Sequence, residues 1–246
     1  LLPQSIGPFH SSSQRRAMAA IIRRARLTCV RERASLGVLE ALGCTQRALC
    51  LPDMAFGAQV DAAEAARALL ERVGALHQDA SFRVGMSLLN WGDQYPQFQG
   101  QNTYENAILA CIDAITAQGG QVVLFAQCCG PSAAEDDRRT GARIHAQVAD
   151  PRRVHVVMEE VAPDVLQAAY ARMDYFIGTR MHAVILALNA GTPALAIGYL
   201  HKTRGVLEEL GMREHCLDIS TITSEQLLAA FEQLRRDAKR DPAAPY

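Results

Sequence analysis

Tyr175-Phe176-Ile177 is a short β-rich run that turns at Gly178-Thr179-Arg180 into the apolar helical pattern Met181 to Leu188, and Pro193 to Ile197 then reads as another strand. A strand, a turn, a helix and a second strand in this order make the βαβ unit of a parallel sheet. The same rhythm runs outward on both sides. Upstream lie the strands Phe82 to Leu88, Val122 to Phe125 and Val154 to Met158. Between them the pattern predicts helices over Thr103 to Gln118, through Arg143 to Val148, and from Pro163, a residue favoured in a helix's first turn. Downstream a helix from Thr203 to Leu210 leads to a strand at Cys216 to Ile219 and a last helix from Ser224 to Arg236. Six strands alternating with helices predict the α/β class, a Rossmann-like domain over residues 81–236 with helices on both faces.

The first 60 residues carry the rhythm on a smaller scale. Strands are expected near Leu1-Leu2, Leu27 to Val30 and Ala48 to Leu51, with helices over Gln14 to Ala25 and Ala34 to Leu42. This is little for an independent domain. Residues 1–60 are therefore expected to be the closing part of an N-terminal α/β domain whose opening half precedes Leu1. Residues 61–80, with an Ala-rich helix from Ala62 to Leu76, read as a linker, and 237–246 as a tail.

Composition narrows the function. The 246 residues are 49% hydrophobic and 21% charged, enough apolar material for a sizeable core, so a disordered or fibrous chain is excluded. Lys and Arg number 25 against 26 Asp and Glu, a net charge of -1. A nucleic-acid partner is not expected, and an anionic substrate must be held by a few placed cations. Seven cysteines without a CxxC pair point away from a disulfide scaffold or zinc ribbon and towards a reducing, cytoplasmic setting; no metal is expected. The longest apolar stretch, Ala183 to Tyr199, is interrupted by Asn189, Gly191, Thr192 and Pro193 and does not read as a membrane span.

Ligands of open α/β sheets bind outside the carboxyl ends of the strands. The loop Gly178-Thr179-Arg180-Met181-His182 enters a helix there, joining helix-start amides to a guanidinium and an imidazole. The competing reading has Arg180 paired with a carboxylate and His182 capping the turn. Lys202, after the strand ending at Gly198, is placed to reach towards Arg180 and His182. Arg31, after Leu27 to Val30, belongs to the first module and is a third cation, unless it pairs with Glu32 at a helix start. Ser5-Ile6-Gly7-Pro8-Phe9 is a turn able to bring backbone donors forward. Glu135-Asp136-Asp137-Arg138 offers carboxylates for a sugar or metal, but acidic residues before a helix usually serve as caps. No GxGxxG, GxxxxGK[ST], HExxH or GxSxG occurs.

Several of these runs together resemble the polysaccharide pyruvyl transferases: Pro3 to Phe9, Val30-Arg31-Glu32 with Ser35-Leu36, and Pro52 to Phe56 in the first part. In the second part they are Asp136-Asp137-Arg138, His155 to Glu160, Gly178 to His182, and His201-Lys202 before Gly205, most similar to the colanic-acid and amylovoran branch. Leu89-Asn90-Trp91 departs from relatives, which tend to carry a basic residue near the start of that loop. The resemblance implies a two-domain GT-B-like fold with a glycine-rich strand and loop upstream of Leu1. It implies transfer of pyruvate from phosphoenolpyruvate to two sugar hydroxyls as a cyclic ketal, in exopolysaccharide biosynthesis. Phosphoenolpyruvate is then the donor substrate, with no cofactor, and the acceptor a sugar, expected on a lipid-linked oligosaccharide at the inner face of the membrane. On this reading His182 is the acid/base, since imidazole exchanges protons near neutrality. Arg180, Arg31 and Lys202 hold the donor's carboxylate and phosphate. Gly178, Thr179, Met181, Ser5 and Gly7 complete substrate binding. A nucleotide-sugar glycosyltransferase of the same fold is the rival enzyme, disfavoured because Gln167 and Ala168 stand eight residues after Glu159 and Glu160, where a second glutamate belongs. A non-catalytic, partner-binding module is the other alternative.

Overall fold

The computed structural model describes residues 1–58, 60–76 and 79–240. The chain divides into two compact units. The first comprises Leu1–Gly57 and Leu200–Glu214, the second the intervening residues and those from His215 onward.

The second unit is built on six parallel strands: β3 (Arg83–Ser87), β4 (Gln121–Phe125), β5 (Val154–Val156), β6 (Tyr175–Gly178), β7 (Ala194–Gly198) and β8 (Cys216–Asp218), in the order β5-β4-β3-β6-β7-β8. The chain winds outward from β3 through β4 to β5, then returns to the other side of β3 and winds outward again. This reversal puts a crevice at the carboxyl ends of β3 and β6.

Strand alternation sorts the core. Val84, Met86, Val122, Leu124, Tyr175, Ile177, Leu195 and Ile197 share one cluster with Tyr104, Ile108, Ile112 and Ile115 of α5 (Gln101–Ala117) and Leu227, Phe231 and Leu234 of α10 (Ser224–Arg240). The alternate positions Gly85, Val123, Phe125 and Phe176 point to the opposite face. There α3 (Ala63–Arg72) packs on α7 (Pro163–Tyr170), and α7 on α8 (Met181–Asn189). Aromatic rings fill this side: Tyr170 lies 4.4 Å from Phe176 and 5.0 Å from Phe125, centroid to centroid. Six of the seven apolar residues in the run Met181 to Leu188 are at most 4% exposed, so α8 is a core helix. Gly191 (φ +77°) ends it in a conformation that L side chains rarely adopt. Two further helices, α4 (Trp91–Gln94) and α6 (Asp137–His145), follow β3 and β4.

In the first unit β1 (Thr28–Val30) pairs in parallel with β2 (Ala48–Cys50), and α1 (Ser12–Arg24), α2 (Arg33–Ala41) and α9 (His201–Glu209) accompany them. The strand expected at Leu1-Leu2 is reduced to a single parallel bridge, Gln4 to Val30, with the Cys29 amide donating to the Leu1 carbonyl at 3.0 Å. Ile6, Ala19, Ile22, Val30, Leu39 and Cys44 form a separate small core.

Three expectations shift. The stretch read as a linker carries α3, whose Ala66, Leu69 and Leu70 are at most 1% exposed, so it belongs to the second unit's core. Residues 200–214, read as part of the second domain, group with the first unit. The cause is close packing: a Cβ at Gly205 of α9 would stand 2.9 Å from Glu32 Cβ, just ahead of α2, and Arg33 Nε meets Glu209 Oε1 at 3.1 Å. The last helix continues through residues 237–240, and 241–246 lie outside the described residues. All seven cysteines are free thiols, and no helix among the described residues is long and apolar enough to cross a membrane.

Gly85 is where the sheet tolerates least. It pairs with Phe176 across β3 and β6, and a Cβ there would meet the Phe176 ring at 2.7 Å. Gly85→Ala is expected to lower stability by about 1–3 kcal/mol, the usual range for overpacking, read as a fall in the urea midpoint at unchanged slope. An unchanged midpoint would mean that the Phe176 ring swings aside without cost.

Candidate active site

At the carboxyl ends of β3, β4 and β6 lie the loops that line the crevice. The turn after β6 is anchored from beneath. The Thr179 amide donates to the Ser87 carbonyl at 2.9 Å, and the Thr179 hydroxyl lies 2.8 Å from the Tyr104 hydroxyl. The Arg180 amide reaches Ser87 Oγ at 3.4 Å. Gly178 packs against Val184 so closely that a Cβ there would overlap its Cγ2, which brings the start of α8 down onto the strand end. Thr179 is fully buried, and so is most of Met181 at 4% exposure. Gly178, Thr179 and Met181, expected to bind substrate, therefore shape the turn, since their side-chain positions face the interior.

Arg180 is the N-cap residue of α8 and makes no side-chain cap to it. Its guanidinium instead forks onto Asp137 of α6, with Nη2 to Oδ1 at 2.7 Å and Nε to Oδ2 at 3.1 Å. Asp137 Oδ2 also accepts from the Cys128 amide at 2.9 Å and the Gln127 amide at 3.2 Å, and Arg180 Nη2 reaches the Glu135 carbonyl at 3.4 Å. The ion pair is almost dry, with side-chain exposures of 14% and 1%. Burial raises the Asp137 carboxyl above its ordinary range, opposed by Arg180 and the two amides. Every contact to its oxygens comes from an N–H donor, an arrangement that only the carboxylate satisfies. Burial also works against the Arg180 charge, but Asp137 overrides it and holds the guanidinium above its ordinary value. The two-pronged contact expected between Arg180 and a ligand is thus made with Asp137. Asp136, one residue earlier, caps α6 and pairs with Arg138 at 2.7 Å.

His182 stands exposed in the first turn of α8. Lys202 occupies the second position of α9, in the first unit. Arg31, also in the first unit, is engaged on several sides: Nη1 meets Asp53 Oδ2 at 2.5 Å, Nε donates to Ser5 Oγ at 3.0 Å, and Glu32 Oε2 lies 3.7 Å away. Ser5 in turn donates to Glu32 at 3.0 Å, so its hydroxyl is engaged in this network. Gly7, with φ +82°, turns the chain against Val38, where a Cβ would come within 3.1 Å.

The sequence reading passed over two features. The sequence does not point to Asp137 as the partner of Arg180; its signal is the acidic run 135–137 just after a strand-end loop. The second is an aromatic cluster after β3 and β7: Trp91 stacks on Tyr95 (5.4 Å, 21°) and meets Tyr199 at 4.7 Å. Among the described residues no group of three His, Cys, Asp or Glu is placed to hold a metal ion.

Removing one member of the buried pair strands the other. Arg180→Met is expected to cost about 3–5 kcal/mol, and Asp137→Asn added to it less than the sum of the single losses. Urea unfolding of the four proteins in the cycle checks this, and strict additivity would contradict it.

Comparison with known proteins accords with this geometry. The solved structure of ADP-heptose LPS heptosyltransferase II of E. coli matches with a TM-score of 0.53 at 15% identity, over 92% of this chain and 82% of that one. S. aureus MnaA in complex with UDP matches at 0.58 and 13% identity, over 94% of this chain and 56% of that one. At such identities these likenesses establish the fold, GT-B-like with Rossmann-like α/β units. The amylovoran biosynthesis protein AmsJ of Erwinia amylovora is 28% identical over 93% of this chain, and the chain spans 56% of that relative's length. The family model for polysaccharide pyruvyl transferase matches residues 1–201, the Gly178–His182 turn included, and the chain belongs to that family.

Proposed function

We propose that this protein transfers pyruvate from phosphoenolpyruvate to two hydroxyls of a sugar, forming a cyclic ketal during exopolysaccharide assembly. The observation that carries the reading is the family match across residues 1–201, with the Gly178–His182 turn set at the sheet's switch point. The name of the amylovoran relative supports the exopolysaccharide setting. The acceptor is proposed to be a sugar of a lipid-linked oligosaccharide presented at the inner face of the membrane, with the enzyme in the cytoplasm. No cofactor enters the proposal.

The reaction needs two proton movements and no change of oxidation state. A proton added to the methylene carbon of phosphoenolpyruvate makes the adjacent carbon electrophilic. One sugar hydroxyl adds there and gives up its proton. The second hydroxyl then displaces phosphate, which leaves with the second proton. His182, exposed at the start of α8, is the proposed group that delivers the first proton and collects one from a hydroxyl. Amides of the first turn of α8, which lack a side-chain cap from Arg180, favour an anionic group of the donor. Arg180 acts in this proposal as a fixed positive charge, with Asp137 holding its plane. Roles for Arg31 and Lys202 on the donor's anions are tested by kinetics.

The test is phosphate release from phosphoenolpyruvate in the presence of an oligosaccharide acceptor, with the ketal methyl group followed by NMR. His182→Ala is expected to lower turnover about a hundredfold or more. Lys202→Ala and Arg31→Ala are expected to raise the Michaelis constant for phosphoenolpyruvate more than they lower turnover. Near-normal turnover in His182→Ala would remove the imidazole from the mechanism, and an enzyme that forms no ketal would overturn the reading itself.

A further inference from the structure

Residues 84–137 contain no Lys, Arg or His. This stretch supplies the loop after β3, which carries no cation within its own sequence. What it has instead is aromatic and amide chemistry. Between residues 90 and 101 lie Asn90, Trp91, Tyr95, Phe98 and four glutamines at 94, 97, 99 and 101. The loop is also built rather than slack. The Gln101 side chain accepts from the Trp91 and Gly92 amides, each at 3.0 Å, and donates to the Leu89 carbonyl at 3.2 Å. Gln94 donates to the Ala134 carbonyl at 3.0 Å, tying the loop to the one after β4.

These ties hold a three-ring cluster, with Trp91 and Tyr95 stacked and Tyr199 tilted against Trp91. Tyr199, after β7, backs Trp91 at 4.7 Å, and Trp91 backs Tyr95, which is 47% exposed and stacked at 21°. Because β3 and β7 flank β6, the Trp91–Tyr199 contact bridges the strand that leads into Arg180. Tyr199 is close enough to contribute to the electrostatic environment of Arg180. The stack therefore adjoins the site already described.

We propose that Tyr95, backed by Trp91 and Tyr199, is a platform for a neutral pyranose ring of the acceptor saccharide. The aliphatic C–H bonds on one face of a pyranose carry partial positive charge, and an aromatic face carries the complementary negative quadrupole. Hydroxyls at the ring's rim need amides and carboxylates, which the exposed Asp93, oriented by Asn90 at 2.7 Å, and Gln97 offer. A nucleoside diphosphate could also stack, and titration with uridine diphosphate distinguishes the two. This assignment rests on the pyruvyl-transfer reading only in calling the saccharide the acceptor.

Trp91 is the single tryptophan, so its fluorescence reports on the platform alone. The intact protein is titrated with galactobiose and with cellobiose, without phosphoenolpyruvate, and separately with uridine diphosphate. At least one disaccharide is expected to shift the Trp91 emission saturably. Tyr95→Ala should weaken that binding by about five- to tenfold, the loss of one ring contact, while Tyr95→Phe retains it. In turnover, Tyr95→Ala should raise the Michaelis constant for the saccharide and leave that for phosphoenolpyruvate unchanged. No saccharide-dependent shift, equal affinity in Tyr95→Ala, or a shift with uridine diphosphate alone would overturn the platform. Saccharide binding without phosphate release would support the platform while overturning the donor reading.

Discussion

One buried ion pair organises the second unit's candidate site. Arg180 leaves β6 and Asp137 opens α6 after β4, and between these two strands lies β3. The 2.7 Å contact therefore crosses the switch point of the sheet, over the strand from which Ser87 supports the Arg180 amide. A guanidinium and a carboxylate removed from water are costly apart and tolerable together. That cost fixes the loop after β4, through the Gln127 and Cys128 amides, and the turn after β6, through the Arg180 backbone. Packing completes what charge begins, because Gly178 lets Val184 close onto the strand end and Thr179 hangs from Tyr104.

The consequence for chemistry is a division of labour among neighbouring residues. Gly178, Thr179 and Met181 face inward and set the shape of the turn. Arg180 is spent on Asp137 and supplies a field more than a grip. His182, one turn position later, is the side chain that reaches solvent. The first unit repeats the logic with different residues. There Arg31 is held by Asp53, Glu32 and Ser5, and Glu32 is covered by Gly205 of α9. In each unit a cation that stands out in the sequence, Arg180 or Arg31, pairs with an acid distant from it in the chain.

That difference explains what could be read from the chain beforehand. The β-rich runs from Phe82 to Ile219 are flanked by glycines and by apolar helices, so period and punctuation exposed six strands and their class. The Gly178–His182 turn was legible because it follows an apolar strand directly. The partner of Arg180 was not, because Asp137 is 43 residues away and only the winding order brings β4 and β6 to either side of β3. The grouping of α9 with the first unit was hidden for the same reason: a contact of Gly205 with Glu32 leaves no periodic trace. α4 spans only four residues, too few for a helical period, so the aromatic cluster around Trp91 leaves no periodic trace.

The central claim is that an anionic donor binds at the carboxyl end of β6, at the start of α8. Amide resonances of the intact protein titrated with phosphoenolpyruvate test it most directly. The account predicts that Thr179, Arg180, Met181, His182 and Ala183 shift together and saturate with one affinity. It would be contradicted if those amides stayed in place while others moved, for example around Asp150, Arg152 and Arg153 at the amino end of β5.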